Sequence, residues 1–422
     1  MKKALTVVLI LALALCSVFA GDFKFLFTEL DQHPEILAGF LPTLTAIGAG
    51  YEGLSLIEGD LTQFQATIGG GYTQRVLFQN PVTGEPLISD QMLYDQIQVR
   101  WNLKFLQGFG DSWVEGKDLV TAYVGYEGRY EKAVDSMKVH EARFRGYADP
   151  VAREKGKTAI PSLDEWFNPT QAKFPDRYAK WNNTLANNKI YPDLADDYTA
   201  FMTNFYVGAR LNLMDDKMVS NQGGLAEIKL QFAPSFLNNK ASYYSVTFNA
   251  VAGTTLFEMS NKKGLNLFSV VLIDRVNVNW TDGSQVPVYA SRPVSLGRKV
   301  RGFNTNSYNT NFTVVNNLDI RLAGPEFLLD GVFPRLNLFF DMGWHAGNYL
   351  NTGHNGVAAA SAEAMAEKYD LKRFLCSTGF QLEMCIYDFI DLGFQLSYLI
   401  SGDNMKTPGE KFITGATFFL DF

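Results

Sequence analysis

Strict alternation of apolar and polar side chains, sustained over ten or more residues and repeated along the chain, restricts the fold more than any other feature. In LYDQIQVRWNLKF, Ile97, Val99, Trp101, Leu103 and Phe105 are apolar, while Gln96, Gln98, Arg100, Asn102 and Lys104 are polar or charged. A period of two describes a β-strand with one oily and one wet face. LAEIKLQF sets Ile228, Leu230 and Phe232 against Glu227, Lys229 and Gln231. ASYYSVTFNAVAG sets Tyr244, Val246, Phe248 and Ala250 against Ser245, Thr247 and Asn249. RFLCSTGFQLEMCIYD and IDLGFQLSYLI follow the same rule. Similar segments lie near 41–54, 62–76, 118–131, 198–214, 264–281, 311–323, 335–347 and 411–422, with a weaker one in DFKFLFTEL at 22–30.

Many of these segments exceed the usual strand length of about 5–6 residues and suit a tilted strand that crosses a bilayer. Polar faces rich in Lys, Arg, Glu and Gln, strand after strand, fit a wet lumen better than a dry soluble core. A hydrophobic content of 47% with 19% charge excludes a disordered chain. Aromatics at 14%, Gly 36 and a net charge of −7 argue against nucleic acid as a partner and fit interfacial aromatic belts. The expected fold is all-β, a transmembrane antiparallel β-barrel of 14–16 strands with long extracellular loops. A large soluble β-sandwich or lectin-like protein is the alternative.

The connections alternate in length. Those at 259–264, 324–334 and 387–389 are short, while those at 133–197, 282–310 and 347–372 are long. Short turns on one side and long loops on the other are a barrel pattern. With both termini on the short-turn side, parity favours an even strand number, so the weak first strand counts. The 133–197 insert contains SLDEWFNPTQAKFPDRYAKWNNTLANN, mixes charge, Pro and Trp, and reads as an external cap with a short helix.

Residues 1–20 read as a secretory signal peptide, with MKK, an apolar run, and SVFA ending in small residues before Gly21. An uncleaved anchor would need about 18 apolar residues, more than this run offers. A lipidated Cys16 would follow Leu15, a poor residue at such a junction. Residues 21–422 are then one outer-membrane barrel. Cys376 and Cys385, if they share a strand, stand about 30 Å apart and cannot bridge. Four histidines, His33, His140, His345 and His354, show no metal-ligand spacing, and no phosphate-binding Gly loop or Ser–His constellation appears. No enzyme, metal or cofactor is expected.

Two motifs carry more specific information. The chain ends KFITGATFFLDF, with Gly415, then Phe418, Leu420 and a terminal Phe422 on one face. This resembles the C-terminal β-signal read by the barrel-assembly machinery, although that pattern prefers a polar residue where Ile413 stands. Upstream, GRKVRGFNTNSYNTNF at 297–312 places Val300, Arg301, Gly302 and Phe303 on a long loop. It is followed by NNLDIR (Asn317, Asp319, Arg321) and LNLFFDMGW (Phe339, Asp341, Gly343). Alternation turns Asn317, Asp319 and Arg321 to the lumen on one strand, and Asn337, Phe339, Asp341, Gly343 and His345 on the next. Two neighbouring inward carboxylates need a cation, which a loop folded back into the barrel can bring. Arginine suits this because its planar fork binds carboxylate bidentately. Gly302 permits the turn at the tip, and Phe303 could pack beside Gly343. Arg298 and Lys299 have no defined partner.

In order and spacing these stretches resemble the loop motif VRGF/Y, the strand motif N-x-E-x-R (here with Asp319) and the strand motif F-x-D-x-G of the BamA-type outer-membrane assembly barrels, the bacterial surface antigen superfamily. The resemblance covers 296–422 only. It implies a bacterial outer-membrane location, lipid contact, insertion by the barrel-assembly machinery, and a role in inserting or translocating protein or lipid. Family members commonly carry periplasmic POTRA (polypeptide-transport-associated) domains before the barrel. The stretch before the first clear strand is too short for one, so a periplasmic partner supplying a receiving domain is a further expectation. The competing expectations are a passive channel for small polar solutes and a surface structural or adhesive protein. Whether the Arg301 contact braces or gates the barrel is left open by sequence.

Overall fold

The computed structural model describes residues 23–24, 45–51, 56, 61–77, 93–111, 118–135, 199–215, 222–237, 242–264, 266–286, 290, 295–303, 308–326, 332–350, 372–386, 390–404 and 409–420. The signal-peptide reading of 1–20, nearly all of the 133–197 insert and Phe422 lie outside these residues.

Every alternating segment forms a strand. They are β1 (Phe23–Lys24), β2 (Thr45–Tyr51), β3 (Thr62–Leu77), β4 (Leu93–Asp111), β5 (Asp118–Asp135), β6 (Thr199–Asn212) and β7 (Gly223–Ala233). There follow β8 (Ser242–Ser260), β9 (Asn266–Gln285), β10 (Thr310–Ala323), β11 (Val332–Tyr349), β12 (Phe374–Ile386), β13 (Ile390–Ser401) and β14 (Phe412–Leu420). Among the described residues, the short helix α1 (Leu296–Lys299) lies between β9 and β10. The strands make a single 14-stranded sheet in sequence order, each antiparallel to the next. Among the described residues no pairing joins β14 to β1, so the ring of hydrogen bonds is not closed.

The sheet is inverted relative to a soluble protein. On β11, Leu338 and Trp344 are 44% and 41% exposed, while Asn337 and Asp341 on the opposite face are 3% and 0% exposed. Ile228, Leu230 and Phe232 on β7, and Leu392 and Phe394 on β13, are likewise exposed apolar residues. The outer face is the oily one, as a bilayer-spanning barrel requires. The inner face is cross-linked by polar contacts. Arg210 forks onto Glu227 at 2.9 and 3.1 Å, Asn204 and Gln231 both donate to Glu127, and Arg335 forks onto Glu383 at 2.8 and 3.0 Å.

Tyrosines on β5 and β6 lie across each other's glycines. A Cβ on Gly208 would stand 2.3 Å from the Tyr123 ring and 2.7 Å from the Ile228 carbonyl, and one on Gly125 would stand 2.1 Å from the Tyr206 ring. These are register partners, Tyr123 opposite Gly208 and Gly125 opposite Tyr206. The missing side chains let two large rings lie flat on the wall, their hydroxyls donating to Glu227 and Asn102. Gly208→Val is therefore expected to destabilise the barrel by about 1–3 kcal/mol through overpacking, read as a lower urea midpoint in micelles. An unchanged midpoint would show that Tyr123 swings aside at no cost.

Cys376 and Cys385 both lie on β12 as buried thiols.

Candidate functional site

The site begins with the chain's return from the long loop. After β9, residues 295–303 turn back against the inner wall of β9–β13. Leu296 opens α1, and the Val300 amide donates to the Leu296 carbonyl at 3.1 Å. Leu296, Val300, Phe303 and Tyr308 form one buried apolar cluster with Val315, Tyr349, Leu375 and Leu399 of the wall. The loop thus brings its own hydrophobic underside to a mostly polar surface. Two glycines make the seat. A Cβ on Gly343 would stand 2.7 Å from Leu296 Cδ1 and from Val300 Cγ2. Gly302 has φ +92°, a left-handed value, and a Cβ there would stand 2.8 Å from Leu399 Cδ2 and Ser397 Cβ.

Arg301 projects from this seat into the wall. Its Nε donates to Asp341 Oδ2 at 2.8 Å and its Nη2 to Asp341 Oδ1 at 2.6 Å, a bidentate fork. Its backbone amide donates to Asp341 Oδ2 at 2.8 Å. Nη2 also donates to Asp319 Oδ1 at 2.5 Å, and Nη1 to Gln381 Oε1 at 2.8 Å. The guanidinium carbon lies 4.0 Å from the centre of the Phe339 ring, a cation–π stack. Burial penalises the Arg301 charge, but the carboxylates of Asp341 and Asp319 outweigh it and raise the pKa above the ordinary arginine value. The residue is a permanent cation whose charge is matched by hydrogen-bonded partners on three adjacent strands.

The structure brings Arg301, Asp319, Asp341, Phe339, Gly343 and Gly302 together, and it departs from the sequence reading at Phe303 and at Lys299. Phe303 does not pack beside Gly343. Leu296 and Val300 occupy that space, while Phe303 lies against Gly402 and stacks edge-on with Tyr308 at 6.4 Å. Lys299 has defined contacts: its Nζ donates to Asn277 Oδ1, and its carbonyl accepts from Asn317 Nδ2 at 2.9 Å. Arg321 faces the same side but is not the second cation on Asp319. That place belongs to Arg275 of β9, whose Nη1 reaches Asp319 Oδ2 at 2.6 Å. Arg321 stands nearer the short-turn end, among Arg275, Arg335, Asp319 and Glu383. The Arg298 side chain lies outside the described residues.

Arg275 and Gln381 were missed because the motifs begin after β9 and end on β11. Alternation alone could have found them, since it turns 275 inward with Asn277 and Asn279, and 381 inward with Glu383.

The loop is also fastened to the last hairpin. Asn404 Nδ2 donates to the Gly302 carbonyl at 2.8 Å, and Tyr308 Oη donates to the Asp403 carbonyl at 2.9 Å. Ile413 of β14 packs against the loop cluster. The apolar residue that departs from the β-signal pattern thus has a structural use here. Gly415 pairs with Gln395, Phe418 with Leu392 and Leu420 with Ile390.

No family model matches the chain, and no curated protein sequence matches it. Among solved structures it is similar to BamA from Haemophilus ducreyi lacking POTRA domains 1–3, with a TM-score of 0.46 and 13% identity over 89% of this chain and 62% of that one. It is similar to CdiB from Acinetobacter baumannii, with a TM-score of 0.40 and 10% identity over 89% of this chain and 51% of that one. The siderophore receptor PirA from Acinetobacter baumannii matches with a TM-score of 0.31 and 12% identity, over 93% of this chain and 50% of that one. The chain therefore spans less than two thirds of the length of each.

Proposed function

We propose that the chain is a bacterial outer-membrane barrel that acts in the insertion or translocation of protein or lipid, with the 282–310 loop as its resident lumen element. The observation that carries this reading is the Arg301 clamp. A loop held by a buried fork on Asp341, with Asp319 and Gln381 beside it, is an obstruction built into the wall. The motif resemblance of residues 296–422 supports the same class. On this reading the C-terminal strand is the signal for the barrel-assembly machinery, a periplasmic partner delivers cargo, and the protein has no catalytic site or cofactor.

A passive channel for small polar solutes is the second reading. It draws on the inner wall of β4–β7, where Lys104 lies over the Tyr123 ring at 4.7 Å and Lys229 over the Tyr206 ring at 4.5 Å, giving a charged, aromatic-lined surface. Planar-bilayer recording separates the two. The proposal expects a mostly closed wild-type barrel, and large steady openings once residues 296–303 are replaced by a short Gly-Ser linker. Large steady currents from the wild type would favour the channel. In the same preparations, liposome insertion of an unfolded barrel substrate should rise above the spontaneous rate, and no increase would count against the insertion role.

A further inference from the structure

Asp274 stands where a bilayer-spanning wall has least use for a carboxylate. β9 turns its odd-numbered residues inward, since Arg275 reaches Asp319 and Asn277 meets Lys299. The even-numbered residues face out, and Trp280 is exposed among them. Asp274 shares that outer face, opposite Ala252 of β8 and Leu318 of β10. Asn316 of β10 lies on the same face. Its Nδ2 donates to Asp274 Oδ1 at 2.5 Å and makes a longer contact of 3.3 Å to the Arg275 carbonyl.

The pair lies within the apolar band and not at its rim. Towards the long-loop end the outer face carries Phe248 and Trp280, and towards the short-turn end it carries Phe257, all exposed. Beside the pair the wall is low. Gly224 and Ala226 of β7 stand opposite Ala252 and Ala250 of β8, so no large side chain projects there.

An ionisable group facing lipid is costly and marks a site that has a partner. We propose that the outer face of β7–β10 around Asp274 and Asn316 is an interface with a second copy of this chain. A two-fold axis through the patch sets the amide of one copy against the carboxylate of the other, twice. Such a surface is self-complementary in the way an isologous dimer requires. Turning the second Asn316 N–H from its long backbone contact to the partner's Asp274 sacrifices little. The low Gly and Ala surface lets two sheet walls approach closely, and close approach with polar contacts drives association where both solvent and surface are apolar.

The proposal rests on the membrane-barrel reading, so the test reports on each separately. The full chain is refolded into lipid nanodiscs. Heat-modifiable gel migration reports the folded barrel, and native mass or density-matched sedimentation reports the copy number. The wild type is expected to contain two copies. Asp274→Leu combined with Asn316→Leu should weaken association about tenfold or more while leaving heat-modifiable migration intact. A one-copy wild type, or a double variant that dimerises as tightly as the wild type, overturns the interface while the barrel stands. Absence of heat-modifiable migration in the wild type overturns both.

Discussion

Asp341→Ala is expected to unseat the loop and to destabilise the barrel by about 3–5 kcal/mol, because it leaves a largely buried guanidinium without its bidentate partner. Asp341 is fully buried and accepts three hydrogen bonds from Arg301, one of them from the backbone amide. Asp319 cannot replace it, since it is shared with Arg275. The effect should appear as a lower urea midpoint in micelles. Arg301→Ala in the Asp341→Ala background should add little, as residues that act as a unit are not additive. Equal and fully additive losses would mean that the two side chains act on different partners. Conductance of the same variants decides what the contact is for. A loss of stability with unchanged current describes a brace, and a rise in open probability describes a gate.

Gly343→Val is expected to expel the loop while sparing the wall. The position is ordinary strand, where a β-branched residue is favoured. Its new side chain would occupy the space of Leu296 and Val300, each 2.7 Å from the Cβ alone. Two buried aliphatic side chains are then displaced, a loss of about 1.5–3 kcal/mol each. The expected signature is new protease cleavage within 296–309 and raised conductance, with heat-modifiable migration retained. A variant as resistant to protease as the wild type would show that the loop is not seated on Gly343.

The fold was largely legible in the sequence because a wall between oil and water writes a period of two into every strand, whichever strands pair. Even the two-residue β1 falls inside the weak segment at 22–30. The site was legible where charge had to be matched, as with Arg301, Asp319 and Asp341, since inward carboxylates on neighbouring strands demand a cation. It was not legible where the outcome depended on packing. Phe303 and the pair Leu296 and Val300 compete for one glycine seat, and only the path of the loop decides between them. Arg275 was missed for another reason: it lies on β9, upstream of the motifs, although alternation turns it inward towards Asp319. Asp274 is the reverse case, a carboxylate on the face where alternation leads one to expect an apolar residue.

The fastening of the loop to the last hairpin sets an order of events during folding. Arg301 meets Gln381 80 positions later in the chain, and Gly302 meets Asn404 102 positions later. Contacts of such long range form late, because the chain must be closed over that span before they return any free energy. The loop cannot settle until β12, the β13–β14 hairpin and Ile413 are in place. A nascent barrel that stalls before its final strands therefore keeps an Arg301 without its Gln381 contact and an uncovered apolar cluster. The seated loop is a chemical record that the molecule was finished.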